Sequence, residues 1–273
     1  MHETGELMKR RSILFLLLFY ISMPAIAEKT ALKLGIFPYV SSSKLINHNK
    51  GLQKYINESL QYSLSLVSAK DVPTYIKNVK TFDYDLIFSA PHLARYFEKE
   101  YAYQRVAMTT HKIVGVYLVK KDSPIHSLEA LQGESISLAP EKSIIHQVVL
   151  KQLKKYDVIP GNNLDVIQVK THNNAIYNVL NDISSASCTG VKLWENFPTE
   201  EKNKLRSIGK TEAVSGFIVL AKPDLDKKTV AELQKLFLSF KDSKAGDAYI
   251  FNGFKLISDS EMQSLDSYAD VFK

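Results

Sequence analysis

The chain has 273 residues, 45% hydrophobic and 23% charged, which excludes a disordered or fibrous protein and leaves room for one large domain or two smaller ones. Its net charge of +6 arises from 35 Lys and Arg scattered among 29 Asp and Glu without a basic run, a pattern that argues against a nucleic-acid partner and is compatible with a small anionic one. A single cysteine, Cys188, rules out an internal disulfide, so the core alone must hold the fold.

In chain order, Lys9, Arg10 and Arg11 precede the apolar run Ile13 to Met23, and Ala25-Ile26-Ala27 follows as a small-x-small cleavage site. This reads as a secretory signal peptide over 1–27, too short and wrongly flanked for a stable membrane span, with an uncleaved anchor as the alternative. Met8 offers a tidier start than Met1, and no cysteine follows the signal to carry a lipid anchor. The expected compartment is the periplasm.

From Leu32 short apolar runs alternate with longer amphipathic ones. Leu32 to Phe37, Tyr62 to Ser68 and Tyr84 to Ser89 read as strands, with helices over Leu45 to Leu60 and Val72 to Lys80 between them. A β-rich run from His111 to Ile125, ending in the turn signal Asp122-Ser123-Pro124, breaks that rhythm and reads as a crossover. The alternation then restarts: a short helix Ser127 to Gly133, a strand in SISLAP, a helix Ser143 to Tyr156, a strand Leu164 to Val169, a helix Asn173 to Asp182 and a polar strand Ser184 to Gly190. A second β-rich run, Gly216 to Leu225, mirrors the first, and the chain beyond Lys227 is helical in pattern. Two crossings between two α/β units predict two lobes, each a mostly parallel sheet flanked by helices, with the crossing strands as hinge. The expected division is lobe 1 over 28–113 plus 221–273 and lobe 2 over 114–220. Ligands of such folds bind at the carboxyl ends of strands.

The stretches YDLIFSAPHLARYF, HKIVGVYLVKKDSPIHSLEALQGESISLAP, THNNAIYNVLND and GFIVLAKPDLDKKTVAELQKLFLSF carry a resemblance over most of the mature chain. Together they are similar to the phosphate, phosphite and phosphonate-binding periplasmic components of ABC transporters, within the type II periplasmic binding fold. The resemblance implies a solute-binding protein that captures a small phosphorus oxyanion or phosphonate between its lobes and delivers it, as a monomer, to a membrane permease.

Site residues follow from the resemblance position by position. The family opens the helix after a lobe 2 strand with clustered hydroxyls; here Pro140-Glu141-Lys142-Ser143 keeps one, Ser143, and adds the carboxylate of Glu141. Ser143 is a ligand contact or a plain helix cap. A hydroxyl-imidazole pair at the next helix start is Thr171-His172, again a ligand pair or a cap with an exposed ring. At the end of the third strand Ser89-Ala90-Pro91-His92 replaces a Gly-Pro, and Ser89 and His92 would face the cleft if Pro91 occupies the first helical turn. Tyr39 stands where the family places an aromatic cleft wall, with simple packing as the alternative. The strand carrying Cys188 and Thr189 has no acid at its end, which argues against an amine-bearing phosphonate; Thr189 is a candidate contact, and Cys188 a small buried residue or a cleft thiol.

No HExxH, GxSxG or glycine-rich phosphate loop is present, so the sequence points to no enzyme, cofactor or metal. A sensor whose closed form docks on a membrane receptor is the alternative to transport, and a pyrimidine-acting enzyme on the same fold a more distant one.

Overall fold

The structure, a computed structural model, describes residues 29–59 and 61–273; the expected signal peptide lies outside the described residues. The chain runs through β1 (Thr30–Ile36), α1 (Ser42–Glu58), β2 (Tyr62–Ser68), α2 (Val72–Lys80), β3 (Leu86–Ser89), α3 (Pro91–Tyr101) and β4 (Gln104–Thr109). It continues through β5 (Gly115–Lys120), β6 (Glu134–Leu138), α4 (Ile144–Leu153), β7 (Leu164–Gln168), α5 (His172–Leu180), β8 (Ala186–Gly190), α6 (Val191–Glu195), α7 (Thr199–Lys202) and β9 (Leu205–Lys210). The last part holds β10 (Ile218–Ala221), α8 (Lys227–Ser239), α9 (Lys244–Asp247), β11 (Phe254–Lys255), α10 (Asp259–Gln263) and α11 (Asp266–Ala269).

Local chemistry sets many of these boundaries. Asp71 caps α2 by accepting from the Thr74 N–H at 2.8 Å, and Pro73 sits in the first turn, where its missing N–H costs nothing. Asp226 caps α8 through the Thr229 N–H at 3.0 Å, and Ser258 with Glu261 forms a capping box on α10. Helix α3 stops where Ala102 turns left-handed, at φ 54°.

The strands form two mixed sheets, one ordered β11-β4-β10-β3-β1-β2 and the other β7-β6-β8-β5-β9. β1 pairs parallel with β2 and β3, and β6 parallel with β7 and β8, whereas β10 runs antiparallel to β3 and β4, and β5 to β8 and β9. The strands that enter from the crossings thus run against both of their neighbours. Both faces of each sheet are covered, which is why β3, β5 and β10 are almost continuously buried.

The crossings are short, 110–114 and 211–217, and meet at an antiparallel bridge in which the Ile113 and Val214 amides donate to each other's carbonyls at 3.0 and 2.9 Å. Residues Ile218–Ala221 hydrogen-bond into the first sheet, because the chain completes its return before β10 begins. Sequence periodicity also passes over β4, β9 and the two-residue β11, whose apolar positions are too few or too interrupted to stand out.

The lobes are closed on each other. Ile144 and Val148 of α4 pack in one cluster with Leu93, Ala94 and Met108 of the first lobe and Met262 and Leu265 of the C-terminal segment. Lys151 of α4 donates to Ser267 Oγ at 3.2 Å and lies 4.7 Å over the Tyr268 ring. Among the described residues no helix is long and apolar enough to cross a membrane.

Candidate functional site

Strands β3, β6, β7 and β8 each feed a helix directly from the carboxyl end, the end at which open α/β sheets bind ligands. The helices that begin there leave their first N–H groups without intrahelical acceptors and carry a partial positive charge. Ala90 before α3 and Ser143 before α4 make no side-chain cap bond, so neither helix consumes those amides locally.

Contacts tie these helix openings together. His92, the second residue of α3 and 0% exposed, places Nε2 3.0 Å from the carbonyl oxygen of Lys142, across the lobe interface and just ahead of α4. Ser143 Oγ lies 3.4 Å from Nε2 of His172, which opens α5. The amino ends of α3, α4 and α5 therefore converge.

Buried polar atoms on these same strands and helices are the unusual feature. Ser89 Oγ, His92 Nδ1, His172 Nδ1, Ser187 Oγ and Thr189 Oγ1 are all buried without a hydrogen-bond partner among the described residues. Buried polar groups are paired in more than about nine cases in ten, and each orphan costs about 1–3 kcal/mol. Among the described residues, such orphans on strand ends and helix starts are consistent with a partner supplied from outside the chain.

Burial also sets the protonation states. It pushes the His92 imidazole down to about 4, only partly offset by the Lys142 carbonyl, and pushes His172 down to about 4 with a smaller contribution from His146. Both rings are neutral at physiological pH. The site thus offers neutral hydroxyls, neutral imidazoles and helix N-termini, a set suited to an anion held by dipoles instead of by countercharge.

The sequence candidates divide accordingly. Ser89, His92, His172 and Thr189 contribute orphaned atoms, and Ser143 touches His172 instead of capping its own helix. Thr171 is exposed and occupied as the cap of α5, accepting from the Asn174 N–H at 3.2 Å and donating to Asn174 Oδ1 at 2.6 Å. Tyr39 is half-buried; its hydroxyl sits 3.1 Å from His48 Nδ1 and its ring packs against Phe217 and Phe251 at centroid distances of 4.9 and 5.9 Å.

Glu141 is exposed, which keeps its charge in water and away from the buried atoms. Cys188 is 0% exposed in the core of the second lobe, and burial pushes its thiol well up, so it is a packing residue. Ser187 escaped the sequence reading; it lies two residues before Thr189, on the same face of β8, and that alternation was the available signal.

A hollow of ≈ 330 Å³ lined by Gly133, Glu134 and Gly161 to Asp165 lies at the amino ends of β6 and β7, away from the helix openings. Among the described residues no group of His, Cys, Asp and Glu has metal-binding geometry.

Two lobes on mixed sheets, joined by paired crossings and closed over a set of inward polar groups, define a solute-binding protein of the periplasmic type. The family described as ABC transporter, phosphonate, periplasmic substrate-binding protein matches residues 34–262, and the chain belongs to it. It is thus the substrate-binding component of an ABC transporter, placed by its family in the periplasm, and not an enzyme.

Solved structures share the fold at low identity. A binding component of an ABC phosphonate transporter from Pseudomonas aeruginosa superposes with a TM-score of 0.74 at 16% identity, covering 90% of this chain and 87% of that one. A Prochlorococcus marinus protein in complex with methylphosphonate gives 0.74 at 14%, covering 89% and 98%. The aliphatic sulphonate binding protein of Escherichia coli gives 0.64 at 16%, covering 90% and 92%. Among curated proteins none matches the sequence.

Proposed function

We propose that this protein captures a small tetrahedral oxyanion, a phosphonate or phosphite, between its lobes and presents it to its permease. The carrying observation is the set of buried, unpartnered polar atoms on β3, β8, α3 and α5, together with the three converging helix N-termini. Ser89 and His92 from the first lobe and Ser143, His172, Ser187 and Thr189 from the second would hold the anion, so that closure and binding are one event. Tyr39 and Thr171 support the site from outside, as a wall and as the cap that positions His172. The division that fits this action is 29–109 with 218–273 against 115–210, and one chain supplies both halves of the cleft, so a monomer suffices. The Prochlorococcus marinus neighbour, which holds methylphosphonate, supports the ligand class.

Thermal unfolding of the ligand-stripped protein tests this reading. Methylphosphonate or phosphite at 100 times its dissociation constant adds about 2.7 kcal/mol of stability, and His172→Ala abolishes most of the shift. Absence of a shift with methylphosphonate, phosphite, phosphate and methanesulfonate refutes it.

A further inference from the structure

We propose that His92 makes the site selective for the proton-bearing form of its oxyanion, accepting a hydrogen bond from the ligand's own P–O–H group. This rests on the oxyanion reading above and specifies which ionic form is bound. A carbonyl oxygen can only accept, so the 3.0 Å contact to Lys142 places the ring proton on Nε2. Nδ1 is then a bare lone pair, buried and unpartnered. The orphaned hydroxyls of Ser89, Ser187 and Thr189 can rotate to donate to an anion, and the helix amides can only donate. Nδ1 of His92 is different: held in this tautomer, it needs a donor.

The ring does not escape by taking a second proton. The packed elements bring Phe272 to a centroid distance of 5.1 Å, with the exposed Asp270–Lys273 pair on the same terminal turn. The loop before α4 brings Lys142, whose ammonium lies 5.7 Å over the Phe272 ring. Within α3, Arg95 is paired with Glu98 at 2.6 Å and with Asp266 at 2.7 Å, and Tyr96 packs against Phe272. From the second lobe, the loop before α4 also carries the exposed Glu141, His172 and His146 lie near each other, and Nδ1 of His146 bonds the Ala139 carbonyl at 2.7 Å. No carboxylate in this set contacts the His92 ring to stabilise an imidazolium, and burial favours the neutral form.

A singly protonated phosphonate or phosphite fits such a site, its P–O–H toward Nδ1 and its remaining oxygens toward the hydroxyls and helix amides. A dianion, or a sulfonate with no proton to give, opposes lone pair to lone pair. A site that leaves a buried group unpaired rejects the analogue lacking the matching hydrogen.

Titration calorimetry of the full mature protein with methylphosphonate and methanesulfonate between pH 6 and 9 tests the inference. Affinity for methylphosphonate should fall about tenfold per pH unit above that ligand's second ionisation, while methanesulfonate binds at least about tenfold more weakly with no pH slope. His92→Phe removes Nδ1 and leaves no acceptor in its place, so it should flatten the slope and narrow the gap between the two anions. Histidine nitrogen NMR of the wild-type protein gives a reading independent of that variant's folding: His92 should be the Nε2–H tautomer, and its Nδ1 resonance should move on addition of methylphosphonate. A flat slope in the wild-type protein, a slope unchanged in His92→Phe, or an Nδ1–H tautomer overturns this inference alone. Failure of both anions to bind overturns the oxyanion reading, and this inference with it.

Discussion

Thr189→Val separates the stability of the empty protein from its capacity to bind. Thr189 lies on β8, between β6 and β5 in the second sheet, with 0% of its surface exposed and Oγ1 unpartnered. In the unliganded protein that hydroxyl has left water and found nothing in exchange, a cost of about 1–3 kcal/mol. Valine keeps the β-branched shape, replaces the hydroxyl by a methyl group and removes the cost. In a chain of this size each kcal/mol moves Tm by roughly 2–4 °C, so the unliganded variant should melt about 2–12 °C higher than the wild type. In the complex the same change deletes a hydrogen bond to a charged ligand, worth about 1.5–3 kcal/mol, and affinity for methylphosphonate should fall roughly ten- to a hundredfold. Thr189→Ser, which retains the hydroxyl, should bind much as the wild type does. Differential scanning calorimetry with and without methylphosphonate reads both effects. A variant that melts lower when empty yet binds with unchanged affinity would refute the reasoning, because the hydroxyl would then be serving the fold.

Acid should weaken the empty protein in a defined window. As pH falls through the ordinary histidine value near 6.5 the unfolded chain takes up protons while His92, held down to about 4, does not, so stability is intact above about 6.5, declines towards 4 and levels below it. The loss attributable to His92 is about 3 kcal/mol, His172 is held down to about the same value and adds to the loss in the same window, and denaturant midpoints in His92→Gln should show a shallower acid slope. Gly216→Ala should destabilise by about 2 kcal/mol or more in urea unfolding, since its Cβ would meet Thr109 Oγ1 and the His111 carbonyl where the return crossing passes the outgoing one. Cys188 should resist a thiol reagent in the native protein and react fully only in denaturant; rapid native labelling would contradict its place in the core.

Part of the candidate site is legible in the sequence alone. SAPHLARYF, THNNAIYNVL and the polar strand SASCTG each place a chemically distinctive residue where a strand meets its helix, and local chain chemistry is enough to produce that junction. Two questions left open by such motifs needed three dimensions. The Thr171 and Ser143 hydroxyls precede similar helices, yet one caps its own helix and the other faces His172, because the neighbouring helix supplies a partner only in the second case. Ser187 is unremarkable in a row of small residues and becomes significant only when both faces of β8 are covered.

The sequence by itself determined the alternation of strands and helices, the two crossings and the family, since these rest on periodicity, caps and local patterns that each segment carries alone. Tertiary structure decided that β10 returns to the first sheet, that the closed lobes place His92 against Lys142, and which polar atoms are left without partners. Those properties depend on what approaches a residue from the other lobe, some 50 positions away in the chain for His92 and Lys142, and no pattern of neighbours along the sequence encodes that approach.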